Sequence, residues 1–327
     1  MAGRGSRLRP HTLTIPKPLL PIAGKPIVQR LVEDIIRVCN ENVEEIAFII
    51  GDFGKEVEEK LIQIGEKLGS KVKIYYQTEP LGTAHAILCA KESLKNNCIV
   101  AFADTLFKAD FILDKKKEGI VWVNQIQDPS SFGVVKLNDK NIITDFIEKP
   151  EVFVSDLAII GIYYFKDGQY LKKELQYLLD NDIKEKGEYQ LTNALENMKK
   201  KGTFFYPGKV IEWLDCGNKK ATIYTNSRIL KGEGNLISKN VNFDLTEIIP
   251  PCYVADGVTI KKSKIGPYVS IGKNTEVVNS VIKNSIIQEE SIVSNSQLNN
   301  SMIGNRVIFD GKNILQEVSI GDFSELK

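Results

Sequence analysis

Histidine is almost absent from these 327 residues, with only His11 and His85, and the five cysteines (39, 89, 98, 216 and 252) nowhere form a Cys-x-x-Cys pair. That spacing, among core-like neighbours, argues against zinc and disulfides and for reduced thiols, so a cytoplasmic protein is expected. No stretch approaches the roughly 20 apolar residues of a membrane span, and the start lacks the charged-then-apolar plan of a signal peptide. Charge of one sign is also lacking. Lys+Arg number 43 against Asp+Glu 42, a net +1, so no global field favours nucleic acid or membrane and any anion site must be local. A 43% hydrophobic chain of this length can build two domains.

The local anion site is expected at the start of the chain. Gly3 and Gly5 free the backbone to approach a ligand, Ser6 adds a hydroxyl, and Arg7, Arg9 and Lys17 add positive charge. Prolines 10, 16, 18, 21 and 26 exclude a long helix there. This reads as a phosphate cradle. It is not a Rossmann fingerprint, because Leu8 stands where the third glycine belongs, and not a P-loop, because Gly24-Lys25 runs into Pro26 and Gly54-Lys55 into Glu56.

Apolar spacing predicts a helix from Pro26 to about Cys39, a strand over Glu45 to Ile50, a helix over Gly54 to Leu68, a strand over Lys71 to Gln77, a helix over Thr83 to Leu94 and a strand over Cys98 to Ala103. Such alternation implies an α/β unit with a mixed, mostly parallel Rossmann-like sheet, helices on both faces and ligands at the strand ends. Antiparallel additions are expected over Gly119 to Ile126, Gly133 to Leu137, Ile142 to Ile147 and Leu157 to Phe165. Helices follow near Gly168 to Asn181, Tyr189 to Lys201 and Asn218 to Leu230. A boundary is read at Gly232-Glu233-Gly234, dividing the chain into 1–232 and 235–327. Beyond it Ile260, Ile265, Ile271, Val277, Ile282, Ile287, Ile292, Leu298 and Ile303 return every five or six residues, the hexapeptide period of a left-handed parallel β-helix.

Gly3-x-Gly5-Ser6-Arg7-Leu8 with Pro16-Lys17 resembles the signature loop of the sugar-1-phosphate nucleotidylyltransferases, and the resemblance runs to about residue 230. It implies that Gly3, Gly5 and Ser6 cradle the triphosphate, with Arg7 and Lys17 as the catalytic cations. Gln77-Thr78-Glu79-Pro80-Leu81-Gly82-Thr83 then corresponds to the segment that closes over the nucleobase, placing Gln77, Gly82 and Thr83 against it; read by itself, Thr83 is a helix N-cap. His85 reads as structural. Asp104 and Asp215, the latter in Trp213-Leu214-Asp215-Cys216-Gly217, match the family's two Mg²⁺ ligands. Gly133, Glu148 and Lys149 fall in the segments that hold the sugar phosphate. Ile159, Ala103, Asn193 and Asn218 replace the Asn, Gly, Asp and Thr common in the family, Ile159 bearing most on the sugar contacts. The family's loop also follows a buried strand that is not seen before Gly3, which implies a start further upstream or a gap in the first sheet.

The implied reaction joins a sugar-1-phosphate to a nucleoside triphosphate, glucose-1-phosphate with dTTP or UTP being the first expectation and guanylyl transfer to mannose-1-phosphate the second. A non-catalytic scaffold of the same family is a third reading. Acyl transfer on the β-helix is disfavoured because residues 235–327 contain no histidine base. Oligomerisation or regulation is the expected role of that domain, since stacked coils present long flat faces to neighbours.

Overall fold

The computed structural model describes Gly3 and residues 5–327; Met1, Ala2 and Arg4 of the opening loop lie outside the described residues. The chain forms two compact units, residues 31–213 and residues 5–30 with 214–327. No helix among the described residues is long and apolar enough to cross a membrane.

The first unit is α/β. Strands Glu45–Ile50 and Lys71–Tyr76 pair in parallel, connected by helix 55–67, whose Val57 and Leu61 are buried. The larger sheet has six strands and is mixed. Leu157–Phe165 lies at its middle and pairs antiparallel with Cys98–Ala101, Gly119–Gln125 and Val134–Leu137, while Ile143–Ile147 continues beyond the last of these. Ala158 to Phe165 is buried at every residue, as a strand covered on both faces must be. Helices 168–180 and 191–200 contribute Leu171, Leu175, Leu195 and Met198 to the core against Val121, Val123 and Phe205. The pair 45–50 and 71–76 forms a separate sheet, with no strand ladder to the six-stranded one.

Ahead of the β-helix, five strands among the described residues were not expected from the pattern: Pro21–Ile22, Lys25–Pro26, Thr105–Lys108, Phe205–Lys209 and Glu212–Asp215. Phe205–Lys209 contains Pro207 and Gly208, which argue against a strand, yet it lies at the sheet edge and pairs only with Gly119–Gln125. An edge tolerates the missing N–H of a proline. Helix 83–89 stops short of the expected Leu94, and strand Cys98–Ala101 ends two residues before Ala103.

The C-terminal part of the second unit is a three-sided parallel β-solenoid, with sheets of six, six and five strands. Ile260, Ile265, Ile271, Val277, Ile282, Ile287, Leu298 and Ile303 point inward and are at most 1% exposed. Ile292 does not. It is 42% exposed, and Val293 beside it fills the interior. Residues stacked on successive coils are 16 to 18 apart in sequence, as with Ser270 over Ile286, Tyr253 over Ser270, and Gln297 over Leu315. Most coils are therefore shorter than three full hexapeptides, and that difference moved the inward position by one residue at 292.

The Asn- and Ser-rich stretch 279–301 forms the corners of these coils. Asn279, Asn284, Asn295 and Asn300 adopt positive φ, which asparagine tolerates better than most residues. They stack in pairs, Asn279 donating to Asn295 at 2.7 Å and Asn284 to Asn300 at 2.6 Å. Buried serines run alongside. Ser280 Oγ donates to the Val278 carbonyl at 2.8 Å and accepts from the Ser296 N–H at 3.1 Å, while the Ser280 N–H donates to Ser263 Oγ. Ser280→Ala would leave the buried Ser296 N–H without its partner, while the Val278 carbonyl keeps the Asn295 N–H at 3.1 Å, so urea denaturation should show a loss of about 1–3 kcal/mol. An unchanged midpoint would mean that the ladder contributes nothing.

One face of the solenoid is covered by residues 5–30 and helix 219–233, which belong to the same unit. Its outward positions are suited to that contact. Ile286 and Met302 are buried, Ser270 Oγ donates to Asn226 Oδ1 at 2.7 Å, and Ser319 Oγ lies 3.1 Å from His11 Nε2.

Candidate active site

The opening loop is a pair of tight turns. Gly5 takes the left-handed conformation, φ 59°, before the 3-10 turn Ser6–Leu8, and a second 3-10 turn spans Lys17–Leu19. Leu8 anchors the first turn in the core, leaving Ser6 and Arg7 exposed. Thr12 Oγ1 donates to the Gly5 carbonyl at 2.8 Å, and a Cβ on Gly5 would stand 3.2 Å from both Thr12 Cγ2 and Lys17 Cβ. Gly5, Thr12 and Lys17 are thus brought together, as a cradle requires. Gly3 is exposed, with open space around it.

Asp215 lies in the same unit, at the end of strand 212–215. Its Oδ1 accepts from the Gly217 N–H at 3.0 Å, and its carbonyl accepts from Thr225 Oγ1 at 2.8 Å. A Cβ on Gly217 would come 3.0 Å from Asp215 Oδ2 and 3.4 Å from Arg7 Nη2. The guanidinium and the carboxylate therefore meet at Gly217. Asn218, the family's threonine, caps the following helix by accepting from the Ala221 N–H at 3.0 Å.

Gln77, Gly82 and Thr83 lie in the first unit, where the chain turns into helix 83–89. The N-cap is Gly82 rather than Thr83, and Thr83 spends its hydroxyl across the turn: Oγ1 accepts from the Leu191 N–H at 2.9 Å and donates to Gln190 Oε1 at 3.2 Å. Gly82 lies against another backbone, and a Cβ there would be 2.5 Å from the Tyr189 carbonyl oxygen. The Leu81 carbonyl accepts from the Tyr189 N–H and the Tyr189 carbonyl from the Ala84 N–H, locking the two segments together. Gln77 Nε2 donates to the Gly82 carbonyl at 3.0 Å and sits 3.1 Å from His85 Nδ1. His85 thus orients Gln77. Its role was not visible in a helix interior flanked by alanines, because Gln77 is eight residues away.

Gly133, Glu148 and Lys149 also belong to the first unit and are adjacent. A Cβ on Gly133 would lie 3.1 Å from Glu148 Oε2, 3.3 Å from Ile159 Cδ1 and 3.6 Å from Thr192 Cγ2. Glu148 is 14% exposed at its side chain; its Oε2 accepts from Thr192 Oγ1 at 3.4 Å and its Oε1 lies 3.6 Å from Lys149 Nζ. Burial raises the Tyr163 hydroxyl's pKa well above its ordinary value, and the charge of Glu148 adds to the effect. Lys149 has φ 42°, a left-handed conformation held by its N–H on the Phe132 carbonyl and by Lys186 Nζ on its own carbonyl. Ile159 puts a buried aliphatic group beside Glu148, and its N–H donates to the Gly133 carbonyl at 2.8 Å. Thr192, which the pattern left without a role, completes this cluster.

Asp104 occupies the turn between strands 98–101 and 105–108 and is half-buried. Next to it Thr105 Oγ1 accepts from Trp213 Nε1 at 3.1 Å, and the Trp213 ring meets Phe132 edge-on at 4.7 Å. Among the described residues no three His, Cys, Asp or Glu side chains gather as an all-protein metal cage. A hard cation that keeps water and phosphate oxygens in its shell needs only one or two carboxylates; Asp104 of the first unit and Asp215 of the second are each a half-buried carboxylate of that donor chemistry.

His11 is buried at 2% exposure, and its pKa is lowered to about 4, first by desolvation, with Asp322 opposing and Lys219 adding to the shift. The folded state therefore holds it neutral where the unfolded chain, near 6.5, takes up a proton. Stability is fully present above about pH 6.5 and is lost as pH falls towards about 4, by up to about 3 kcal/mol. His11→Gln should flatten the difference in urea stability between pH 4.5 and 7.5; an unchanged difference would remove His11 from the account. Gly82→Ala should cost about 2 kcal/mol or more, because the new methyl meets backbone that cannot withdraw. A wild-type melting temperature in that variant would show the contact to be looser than it appears.

Residues 1–232 match the sequence pattern of a family described as Nucleotidyl transferase. The chain is 37% identical over 199 residues to the bifunctional protein GlmU of Methanocaldococcus jannaschii, covering 61% of this chain and 45% of that one. It is 32% identical over 251 residues to GlmU of Methanococcus vannielii, covering 75% and 57%. It spans about half the length of these curated relatives. The glucose-1-phosphate thymidylyltransferase of Streptomyces antibioticus is 27% identical over 304 residues, 85% of this chain and 83% of that one. Among solved structures, a UDP-glucose pyrophosphorylase complexed with UDP-glucose superposes with a TM-score of 0.59 at 24% identity, covering 71% of this chain and 96% of that one, a likeness of fold. With its pattern matched over most of its length, the chain belongs to the nucleotidyl transferase family.

Proposed function

We propose that this protein joins a sugar-1-phosphate to a nucleoside triphosphate, giving an NDP-sugar and pyrophosphate, with glucose-1-phosphate and dTTP or UTP as the preferred pair. The meeting of Arg7 with the Asp215 carboxylate at Gly217 carries the reading: a cation for phosphate and a carboxylate for metal stand at one glycine. Family membership and the names of relatives such as the thymidylyltransferase support it. Residues 1–232 would be the catalytic part and 235–327 the β-helix.

In this reading Gly3, Gly5 and Ser6 cradle the triphosphate, Gln77, Gly82 and Thr83 border the base, and Gly133, Glu148 and Lys149 take the sugar phosphate. A phosphate oxygen of the sugar-1-phosphate attacks the α-phosphorus in line. A new P–O bond forms there as the bond to the bridging oxygen breaks, and pyrophosphate leaves with the electron pair. Lys17 stabilises charge at the α-phosphate and Arg7 holds the departing pyrophosphate. Asp104 and Asp215 would hold Mg²⁺, which supplies charge neutralisation for the phosphates. The β-helix would serve self-association, a role that the exposed Val281, Ile292, Ile308 and Leu315 on its outer faces support.

Pyrophosphate release is measured for dTTP, UTP, GTP, ATP and CTP against glucose-, mannose- and N-acetylglucosamine-1-phosphate. Turnover should be highest with a pyrimidine nucleotide and glucose-1-phosphate, and chelation of divalent metal should abolish it. Lys17→Ala should lower kcat roughly 100-fold without changing the melting temperature, as the loss of a transition-state charge contact does. Unaltered turnover in that variant would overturn the role given to Lys17.

A further inference from the structure

The opening loop and the last coil of the β-helix lie some 300 residues apart in sequence yet touch at three residues of the loop. His11 Nε2 lies 3.1 Å from Ser319 Oγ. Thr14 Oγ1 donates to Asp322 Oδ2 at 2.5 Å. Pro10 packs so closely on Gly321 that a Cβ there would stand 2.8 Å from Pro10 Cβ, a ring carbon that cannot swing aside. Lys219, at the start of the helix that follows Asp215 and Gly217, pairs with Glu317 at 2.7 Å. The coil itself is held firmly at this point, because Asp322 also accepts from the Asn305 N–H at 2.8 Å and from Asn305 Nδ2 at 3.1 Å.

These contacts lead to the candidate catalytic cations through a short chain of hydrogen bonds. The Leu13 N–H donates to the Pro10 carbonyl, the His11 N–H to the Leu8 carbonyl, and the Leu8 N–H to the Gly5 carbonyl. Thr12, between His11 and Thr14, donates to the same Gly5 carbonyl at 2.8 Å. Residues 5–14 are therefore cross-linked to one another, and Arg7 lies inside that segment. Ser319, Gly321 and Asp322 touch it at His11, Pro10 and Thr14.

We propose that the last coil of the β-helix, residues 317–322, is a positioning element for the triphosphate loop, with Ser319, Gly321 and Asp322 as its positioning residues. The β-helix is then part of what fixes the nucleotide half of the active site, besides any role in self-association. The importance of the loop rests on the reaction proposed above; the contact itself does not.

The test uses the full-length protein with Gly321→Ala, which pushes on Pro10, and Ser319→Ala, which removes only the partner of His11. Amide hydrogen exchange is followed peptide by peptide, and KM is measured separately for nucleotide and sugar-1-phosphate. In Gly321→Ala, exchange over residues 8–13 should rise at least about tenfold while residues 252–303 keep their protection. KM for the nucleotide should rise about tenfold with that for the sugar phosphate within about twofold, since a displaced loop misplaces one substrate and not the other. Ser319→Ala should shift both in the same direction by less. Unchanged exchange over 8–13 in both variants, or raised exchange with unchanged nucleotide KM, would overturn the proposal. If the unsubstituted protein releases no pyrophosphate from any substrate pair, the reaction as read fails, while exchange still decides whether the coil holds the loop.

Discussion

The second unit depends on one buried amide. Asn226, in the middle of helix 219–233 and 0% exposed, accepts from the Ala23 N–H at 3.0 Å and from Ser270 Oγ at 2.7 Å, and donates to the Tyr268 carbonyl at 3.4 Å. It thereby ties together the opening segment, the helix and the β-helix. Arg30 extends the seam: its guanidinium donates to the carbonyls of Ile22 and Ala23 and pairs with Glu233 at 2.6 Å. Buried polar groups of this kind are costly when half satisfied and fix a single arrangement when fully satisfied. A loop rich in glycine and proline, with little apolar surface of its own, gains a defined path from them.

The first unit achieves a comparable fixity by backbone contact. Gly82 and Tyr189 approach too closely for any side chain to stand between them, and Thr83 fastens the start of the next helix through the Leu191 N–H. The Glu148 cluster is looser in chemistry. Its neighbours Thr192 and Lys149 are polar, but Ile159 presents only carbon. The buried aliphatic group at 159 gives this cluster one face without a hydrogen-bonding side chain.

Much of this was legible in the sequence because its signals are local. The helical spacing from Ile27 to Val38, the apolar run Glu45–Ile50 and the recurring aliphatics after 260 all correspond to observed elements. Failures arose where the deciding partner was distant. Phe205–Lys209 reads as a turn until an edge position makes Pro207 acceptable. Thr83 reads as a cap until Leu191 claims its hydroxyl. Ile292 reads as interior on a fixed period, but coils of 16 or 17 residues put Val293 there instead. The side-chain identities of the candidate site were readable from short patterns, whereas what holds them was not, since His11 with Ser319 and Ala23 with Asn226 are each separated by some 200 to 300 residues.

The central claim is that a sugar-phosphate oxygen becomes the bridge between the two phosphorus atoms of the product. It is tested most directly with sugar-1-phosphate carrying ¹⁸O on its non-bridging phosphate oxygens, incubated with an unlabelled nucleoside triphosphate and Mg²⁺ and followed by phosphorus NMR. The account predicts ¹⁸O in the P–O–P bridge of an NDP-sugar and none in the released pyrophosphate. Label in the pyrophosphate, or pyrophosphate formed without a joined product, would contradict it.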